Sequence, residues 1–537
     1  MNDLTTYPGT YPDGWQPVLL HQYFLQQTKI SPDTTAIISA NCQWSYQDLA
    51  NFAYSYADIL DDRGLVAGDR IILRLDPCPQ AIALIIACSL LGLVFVPVSP
   101  ESPLERVEKI LVTTEAKLQI AASANQTSIS YKYPIIQGFL SGNILSIKKR
   151  IHQKSRSVKR QVLESDLAYI IFTSGTTGNP KGIMMTHRAA LAFFRALTNY
   201  CQLSPKARVG TIAPLQFDFS LLDLGLALGS GATLVQIPRK LTLVPPKLLG
   251  YLKRHQVTQL NCVPSIWKLL LHYAAKDIAK LQHLQTTLFA GESFPISDLI
   301  KLQSLLPHLR IINCFGQSES IACSFSEVPN PLASDAKISL GFAHPGAEML
   351  LLDDEQQEIE LPDQIGEIYL RGANLFSGYW RDPHATETAL IPNPLNPLSG
   401  EQVFRTGDLA YKGLTGELYL VGRRDLQVKI RGNRIELEEV ERRLREHSSV
   451  SQATAIALNL PEDTILAAFL VIERSKPVPT TRELRIFCQE TMLDYMIPSE
   501  IHFLDILPTT INGKVNRQAL TQIRLQMSNR SHSLKMN

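Results

Sequence analysis

The stretch LAYIIFTSGTTGNPKG (167–182) decides how the rest of the chain is read. Its first half is a short apolar run rich in β-branched and aromatic residues, which predicts a buried strand. A loop of Thr173, Ser174, Gly175, Thr176, Thr177, Gly178 and Lys181 follows at once. Glycines let the backbone wrap an anion closely, hydroxyls and amides donate to phosphate oxygens, and the lysine adds a point charge. A plain solvated Gly/Ser/Thr loop is the bland alternative, and strand, loop and Pro-Lys-Gly together count against it. The order is not GxxxxGK[ST], and no GxGxxG follows a strand, so neither the common P-loop nor the dinucleotide fingerprint applies.

Working outward, strand-like runs such as IILRL (71–75) and AYIIFTS (168–174) alternate with longer helical patterns up to about Thr415, the mark of α/β layering. No charged residue occurs over 81–98, a length that approaches a membrane span. Gly92 divides that run into a helix-like half and the β-branched LVFVPV, which fits a buried helix feeding a buried strand better than one spanning helix. The stretch 132–159 is rich in Lys, Ser and Ile without clear period and is expected to be an irregular, basic surface segment. From Asp425 the pattern changes to strand LQVKIRG, a helix over IELEEVERRLREH (435–447), strands ATAIAL and ILAAFLVIE, and a helical run from Thr481. This predicts a large α/β domain over 1–424, a small α+β domain over 425–527 and a frayed tail over 528–537.

The 537 residues exceed one ordinary domain. The charges nearly cancel, 52 Lys+Arg against 50 Asp+Glu, so no overall field draws the protein to nucleic acid or to anionic membranes. Eight cysteines lie scattered without a CxxC pair, several inside apolar runs, which predicts a reduced, cytoplasmic protein without a zinc site. The polar, turn-rich residues 1–13 do not read as a secretory signal.

TSGTTGNPKG resembles the nucleotide-loop signature of the adenylate-forming superfamily, which includes acyl-CoA synthetases, luciferases and the adenylation domains of nonribosomal peptide synthetases. WSYQDLA (44–50), LLGLVFVPVSP (90–100), FDFS (217–220), NCFGQSE (313–319), GEIYLRGANLFSGYW (366–380), FRTGDLA (404–410), GRRDLQVKIRGNRIELEEVE (422–441), LDYMIP (493–498) and NGKVNR (512–517) resemble the remaining motifs in order. The resemblance covers nearly the whole chain. It implies the adenylate-forming fold, a large α/β domain with a small mobile C-terminal domain, and it implies ATP and Mg²⁺.

The implied reaction joins a carboxylate to the α-phosphate of ATP, so the site must offset the repulsion of two anions. Lys514 matches the family lysine that bridges carboxylate and phosphate. Glu319 matches the magnesium ligand, a hard oxygen donor of the kind Mg²⁺ requires. The resemblance places adenine against Phe315, the ribose hydroxyls on Asp408, and Arg423 on the nucleotide. Thr176, Thr177 and Lys181 hold the departing phosphates, and Gly291, Asn313, Gly316 and Ser318 complete the nucleotide set. Asp425 is the implied hinge about which the small domain turns. After that rotation Gly432 lines a tunnel for a phosphopantetheine thiol.

Asp218 of FDFS matches the aspartate that pairs with a substrate ammonium in amino-acid-activating members, a charge acyl-CoA synthetases do not need. The implied pocket is Asp218, Phe219, Leu222, Asn261, Leu288, Ala290, Cys314, Ala322, Cys323 and Lys514. Apart from its two anchors it is neutral, which disfavours charged side chains. The Asp-x-x-Leu opening, Leu288-x-Ala290 and Cys323 resemble free-standing prolyl-AMP ligases, so L-proline is the first expected substrate. D-alanine and other small apolar amino acids follow it. Gln317-Ser318 stands where the family has Pro-Thr, and Asn516 where it commonly has Asp. No carrier or condensation motif is present, so the acceptor is expected to be a separate carrier protein. An acyl- or aryl-CoA ligase is the rival within catalysis, and a nucleotide-binding scaffold the rival outside it.

Overall fold

The structure, a computed structural model, describes residues 16–122, 135–147, 160–175, 180–460, 463–509 and 515–533. It is a mixed α/β protein that divides into two packing units. The first draws its described residues from Met1–Glu101, Ile110–Phe172 and Lys181–Arg424, the second from Ser102–Lys109, Thr173–Pro180 and Asp425–Asn537. Ser174 and Gly175 thus pack with the C-terminal part, although their sequence position assigns them to the larger domain. The reason is local bonding inside the second unit: the Ser174 hydroxyl donates to the Arg434 carbonyl and the Gly175 amide to Glu439.

A nine-stranded sheet dominates the first unit. Its strands run in the order Phe342–Ala343, Ser324–Glu327, Arg310–Phe315, Thr286–Ala290, Gln259–Asn261, Arg208–Thr211, Thr233–Gln236, Thr35–Ile38 and Gln43–Ser45. The six strands from Arg310–Phe315 to Thr35–Ile38 are parallel. Thr233–Gln236 is buried at every position, as expected of a parallel strand covered on both faces. After Arg208–Thr211 the chain builds Thr233–Gln236 on one side and then returns to lay Gln259–Asn261 on the other. That reversal is a topological switch point, where the carboxyl ends of neighbouring strands part and open a crevice.

A seven-stranded sheet runs Ile144–Ile147, Ile136–Ser141, Leu118–Ala121, Arg70–Arg74, Val94–Pro97, Leu167–Thr173 and Lys181–Thr186. The uncharged 81–98 run forms the buried helix Pro79–Leu91 and the strand Val94–Pro97. Gly92 ends the helix at φ +68°, a left-handed conformation that glycine adopts without strain. Among the described residues no helix is long and apolar enough to cross a membrane. The expected irregular segment over 132–159 is corrected in part. Ile136–Ser141 and Ile144–Ile147 pair antiparallel around Gly142, and Leu140, Leu145 and Ile147 are buried. The tight turn between them breaks the alternation into pieces too short to stand out in sequence. A third, five-stranded antiparallel sheet contains Gln402–Lys412 and Leu418–Arg423.

The helix Asp218–Gly229 is buried on nearly all sides and packs on the helices Leu20–Ile30 and His187–Cys201. Two of its glycines are the points of closest approach. A Cβ on Gly225 would lie 2.4 Å from the Phe194 ring, and one on Gly229 only 2.0 Å from the Tyr23 hydroxyl. Both partners are buried and cannot swing clear. Gly225→Ala is expected to cost about 1–3 kcal/mol by overpacking, read as a lower midpoint in chemical unfolding. A wild-type midpoint would show that this helix packs more loosely.

In the second unit the hairpin Gln427–Ile430 and Asn433–Glu436 leads into the helix Leu437–Arg445. The helix begins two residues later than expected, because Ile435 is fully buried as a strand residue opposite Val428. Glu438 and Glu439 in its first turn and Arg442, Arg443 and Arg445 in its last suit the helix dipole. The strands Val450–Asn459, Thr464–Ile472 and Glu500–Phe503 form a sheet, with the helix Thr481–Gln489 beyond. The last helix, Arg517–Ser533, continues through residue 528, where a frayed tail was expected to begin.

Candidate active site

The strand Leu167–Thr173 delivers the loop residues Thr173, Ser174 and Gly175. Among the described residues the Thr173 hydroxyl is buried without a hydrogen-bond partner, an orphaned donor that suits phosphate oxygens. Within the second unit, Ser174 Oγ lies 2.9 Å from the Arg434 carbonyl and Gly175 N 3.1 Å from Glu439 Oε2. Burial pushes the Glu439 carboxyl up, while the Arg106 guanidinium at 3.6 Å opposes that rise. The Gly175 amide thus meets a carboxylate. Thr176, Thr177 and Gly178 lie outside the described residues, as does Lys514.

In the first unit, Lys181 sets its ammonium 5.4 Å from the centre of the Tyr379 ring. The Tyr379 hydroxyl donates to Glu319 Oε1 at 2.8 Å, and the Phe376 amide donates to the Glu319 carbonyl at 2.8 Å. Glu319 is fully buried. One rigid carboxylate fits Mg²⁺, which keeps most of its waters and takes its other ligands from phosphates.

Phe315 ends the strand Arg310–Phe315, and Gly316 follows it. A Cβ on Gly316 would fall 2.3 Å from the Ala322 Cα, so backbone meets backbone and only glycine fits. Gly291 adopts φ +82°, and Ser318 is half-buried. Asn313 spends its amide on the Ser339 carbonyl at 2.8 Å, which makes it a brace of this strand end.

Asp408 is gripped on both oxygens. Arg423 Nη1 donates to Oδ1 at 2.6 Å, and the Gln317 amide donates to Oδ2. Register places Asp408 and Arg423 opposite each other on paired strands. Gln317 stood out in the sequence only as a departure from the family pattern, so its bond to Asp408 is a relation the sequence did not reveal.

Asp218 occupies the first turn of its helix, and the N-cap is Phe217 without a side-chain cap bond. Asp218 therefore does not cap its own helix. It follows the carboxyl end of Arg208–Thr211 at the switch point, and Leu222 lies one turn on along the same face. Phe219 is partly buried against the core. Strand register brings several expected wall residues together: Asn261 is opposite Leu288, and Ala290 opposite Cys314. Ala322 and Cys323 lie in the turn that closes on Phe315, where the Cys323 amide donates to the Phe315 carbonyl at 2.8 Å. Tyr169 was missed. It is fully buried, its hydroxyl has no partner among the described residues, and burial together with the Asp218 carboxylate pushes its phenol well above the ordinary range.

Asp223 was missed as well. It is fully buried, and Asn261 Nδ2 donates to its Oδ1 at 2.9 Å. Desolvation pushes its carboxyl up to about 7, against hydrogen bonds from Thr211 and Asn261. Gln259 in turn donates to Asn261 Oδ1 at 2.9 Å, so both ends of the Asn261 amide are engaged. A lone acid inside the apolar run LLDLGLALG was the available signal. At the unit boundary, Asp425 Oδ1 accepts the Gln427 amide at 3.2 Å, and Gly432 turns the following hairpin at φ +73°.

The family described as AMP-binding enzyme matches residues 24–380, and the AMP-binding enzyme C-terminal domain matches residues 439–514. The chain is 30% identical over 511 residues to gramicidin S synthase 2 of Brevibacillus brevis, with 94% of the chain aligned to 11% of that protein. It therefore spans only a small part of such relatives. It is 30% identical over 525 residues to the L-proline–[L-prolyl-carrier protein] ligase of Pseudomonas fluorescens Pf-5, covering 94% of this chain and 99% of that one. The crystal structure of IdnL1 is 43% identical, with a TM-score of 0.84 over 92% of this chain and 100% of that one. With more than half of its length matched and a relative covered nearly end to end, the chain belongs to the AMP-binding enzyme family.

Proposed function

We propose that the protein activates a small neutral amino acid with ATP and passes it to the phosphopantetheine thiol of a separate carrier protein. A carboxylate oxygen of the amino acid attacks the α-phosphorus, the bond to pyrophosphate breaks, and aminoacyl-AMP remains. The thiol then attacks the acyl carbon, and AMP leaves with its electron pair. In this reading Thr173, Ser174, Gly175, Thr176, Thr177, Gly178 and Lys181 hold the departing phosphates. Asp408 accepts the ribose hydroxyls, Phe315 packs on adenine, and Lys514 bridges carboxylate and phosphate. Glu319 is the residue that holds Mg²⁺, which when bound neutralises phosphate charge. Asp425 is the hinge between the two half-reactions, and Gly432 lines the thiol path. The cytoplasm is the compartment that holds such substrates and free thiols.

The observation that carries the amino-acid reading is the setting of Asp218. It is an acid on the first turn of a buried helix, one turn before buried Leu222, and it follows a strand of the sheet that also carries Leu288, Ala290 and Cys314. An ammonium balances that carboxylate, whereas an acyl chain would bring it no counter-charge. L-proline is the substrate we favour, since a small, rigid, neutral side chain suits such walls. Amino-acid-dependent ATP–pyrophosphate exchange across L-proline, D-proline, pipecolate, both alanines and β-alanine tests the choice. β-Alanine belongs in the panel because two anchors, one for ammonium and one for carboxylate, select by the distance between them. L-proline should exchange fastest, and exchange with D-alanine but not proline would sink this choice. Acyl transfer to CoA but not to a holo-carrier would instead favour a CoA ligase.

A further inference from the structure

We propose that Gln317 is a positioning residue for nucleotide selection, holding the Asp408 carboxylate in the orientation that accepts ribose hydroxyls. The inference rests on the ribose role proposed above for Asp408. Gln317 is 6% exposed, and its amide faces two groups, the Thr406 carbonyl at 3.1 Å and Asp408 Oδ2. Both are acceptors, so only the NH₂ end of the amide can point toward them. From the other side Arg423 repeats the pattern, with Nη1 on Asp408 Oδ1 at 2.6 Å and Nη2 on the Thr406 carbonyl at 3.0 Å. The carboxylate is thus held at each oxygen, and both holds are anchored on one backbone carbonyl. A carboxylate oxygen has two acceptor sites, so each oxygen keeps one for a hydroxyl. Rotation of the carboxylate would break both holds at once, which fixes the plane in which those remaining sites point.

Two further facts favour a positioning role over a packing one. Among the described residues the Gln317 Oε1 is buried without a hydrogen-bond partner, so as a core filler this side chain is worse than an apolar one of its size. The Thr406 carbonyl also does not depend on Gln317, because Arg423 donates to it independently. What only Gln317 supplies is the donor to Asp408 Oδ2. The family pattern places proline here, which has no side-chain donor, so this half of the grip is a property of this chain.

The test is equilibrium binding of ATP, 2′-deoxy-ATP and 3′-deoxy-ATP to the full chain by calorimetry. Wild type is compared with Gln317→Met, which keeps length and loses the donor, and with Asp408→Asn. Gln317→Met should weaken ATP about ten-fold and each deoxynucleotide less than about two-fold. Equal weakening of all three nucleotides, or none, would overturn the proposal. If the methionine variant does not fold, Gln317→Leu supplies the same comparison. Asp408→Asn separates the two layers of the argument. Unchanged discrimination there removes the ribose role of Asp408, whereas discrimination lost in Asp408→Asn but kept in Gln317→Met removes the role of Gln317 alone.

Discussion

Lys514→Ala should bind ATP within about two-fold of wild type and form aminoacyl-AMP about 10²–10³ times more slowly, the usual loss when a group that stabilises developing charge is removed. Two anions must approach within bonding distance for a carboxylate to reach the α-phosphorus, and Coulomb repulsion opposes them most at the transition state. In the proposed site the phosphates have other donors in the ground state, among them Lys181 and the loop of Thr173, Ser174 and Gly175, so affinity for ATP should be nearly independent of Lys514. Lys514→Arg should restore little, since a planar fork does not replace a compact ammonium between two oxygens. Single-turnover formation of the adenylate, alongside calorimetric ATP binding, separates the two effects. Adenylation at more than about a tenth of the wild-type rate would refute the assigned role.

Asp223→Asn should stabilise the protein, and by a margin that grows with pH. Burial raises the folded carboxyl to about 7, whereas an unfolded aspartate sits near its ordinary 3.8. Between those values the unfolded chain has released the proton and the folded chain has not. The unfolded state therefore binds fewer protons, and stability falls as pH rises. The cost is absent below the unfolded value, increases by about 1.4 kcal/mol per pH unit, and levels off near 7 at about 4 kcal/mol. Asparagine has no proton to lose and can still accept from Asn261. Its advantage in urea unfolding should widen by about 3 kcal/mol between about pH 5 and about pH 8. A margin that does not change with pH would mean that Asp223 titrates normally and that its surroundings are wetter than its burial suggests.

Much of the site was legible because it is written in consecutive residues. The strand-to-loop transition at 167–182 needs only local alternation and glycines, and its strand is where expected. The uncharged 81–98 run divided at Gly92 because a left-handed helix end favours glycine wherever it occurs. Other features were hidden for physical reasons. The strands at 136–147 were lost among flanking lysines and serines. Asp223 could be seen as an acid in an apolar run, but its partner Asn261 is 38 residues away.

The sequence by itself determined the strand that opens 167–182, the order of the motifs, the α/β alternation and the change of pattern near Asp425, because each depends on neighbours in the chain. Tertiary structure alone decided what holds Asp408, where Gln317 and Arg423 arrive from 91 and 15 residues away. It alone placed Asn261 opposite Leu288 and Ala290 opposite Cys314. It also grouped Ser174 and Gly175 with the segment that carries Arg434 and Glu439. The reason is the same in each case: a hydrogen bond or wall contact between distant residues follows from strand register and packing, which no local pattern of residues encodes.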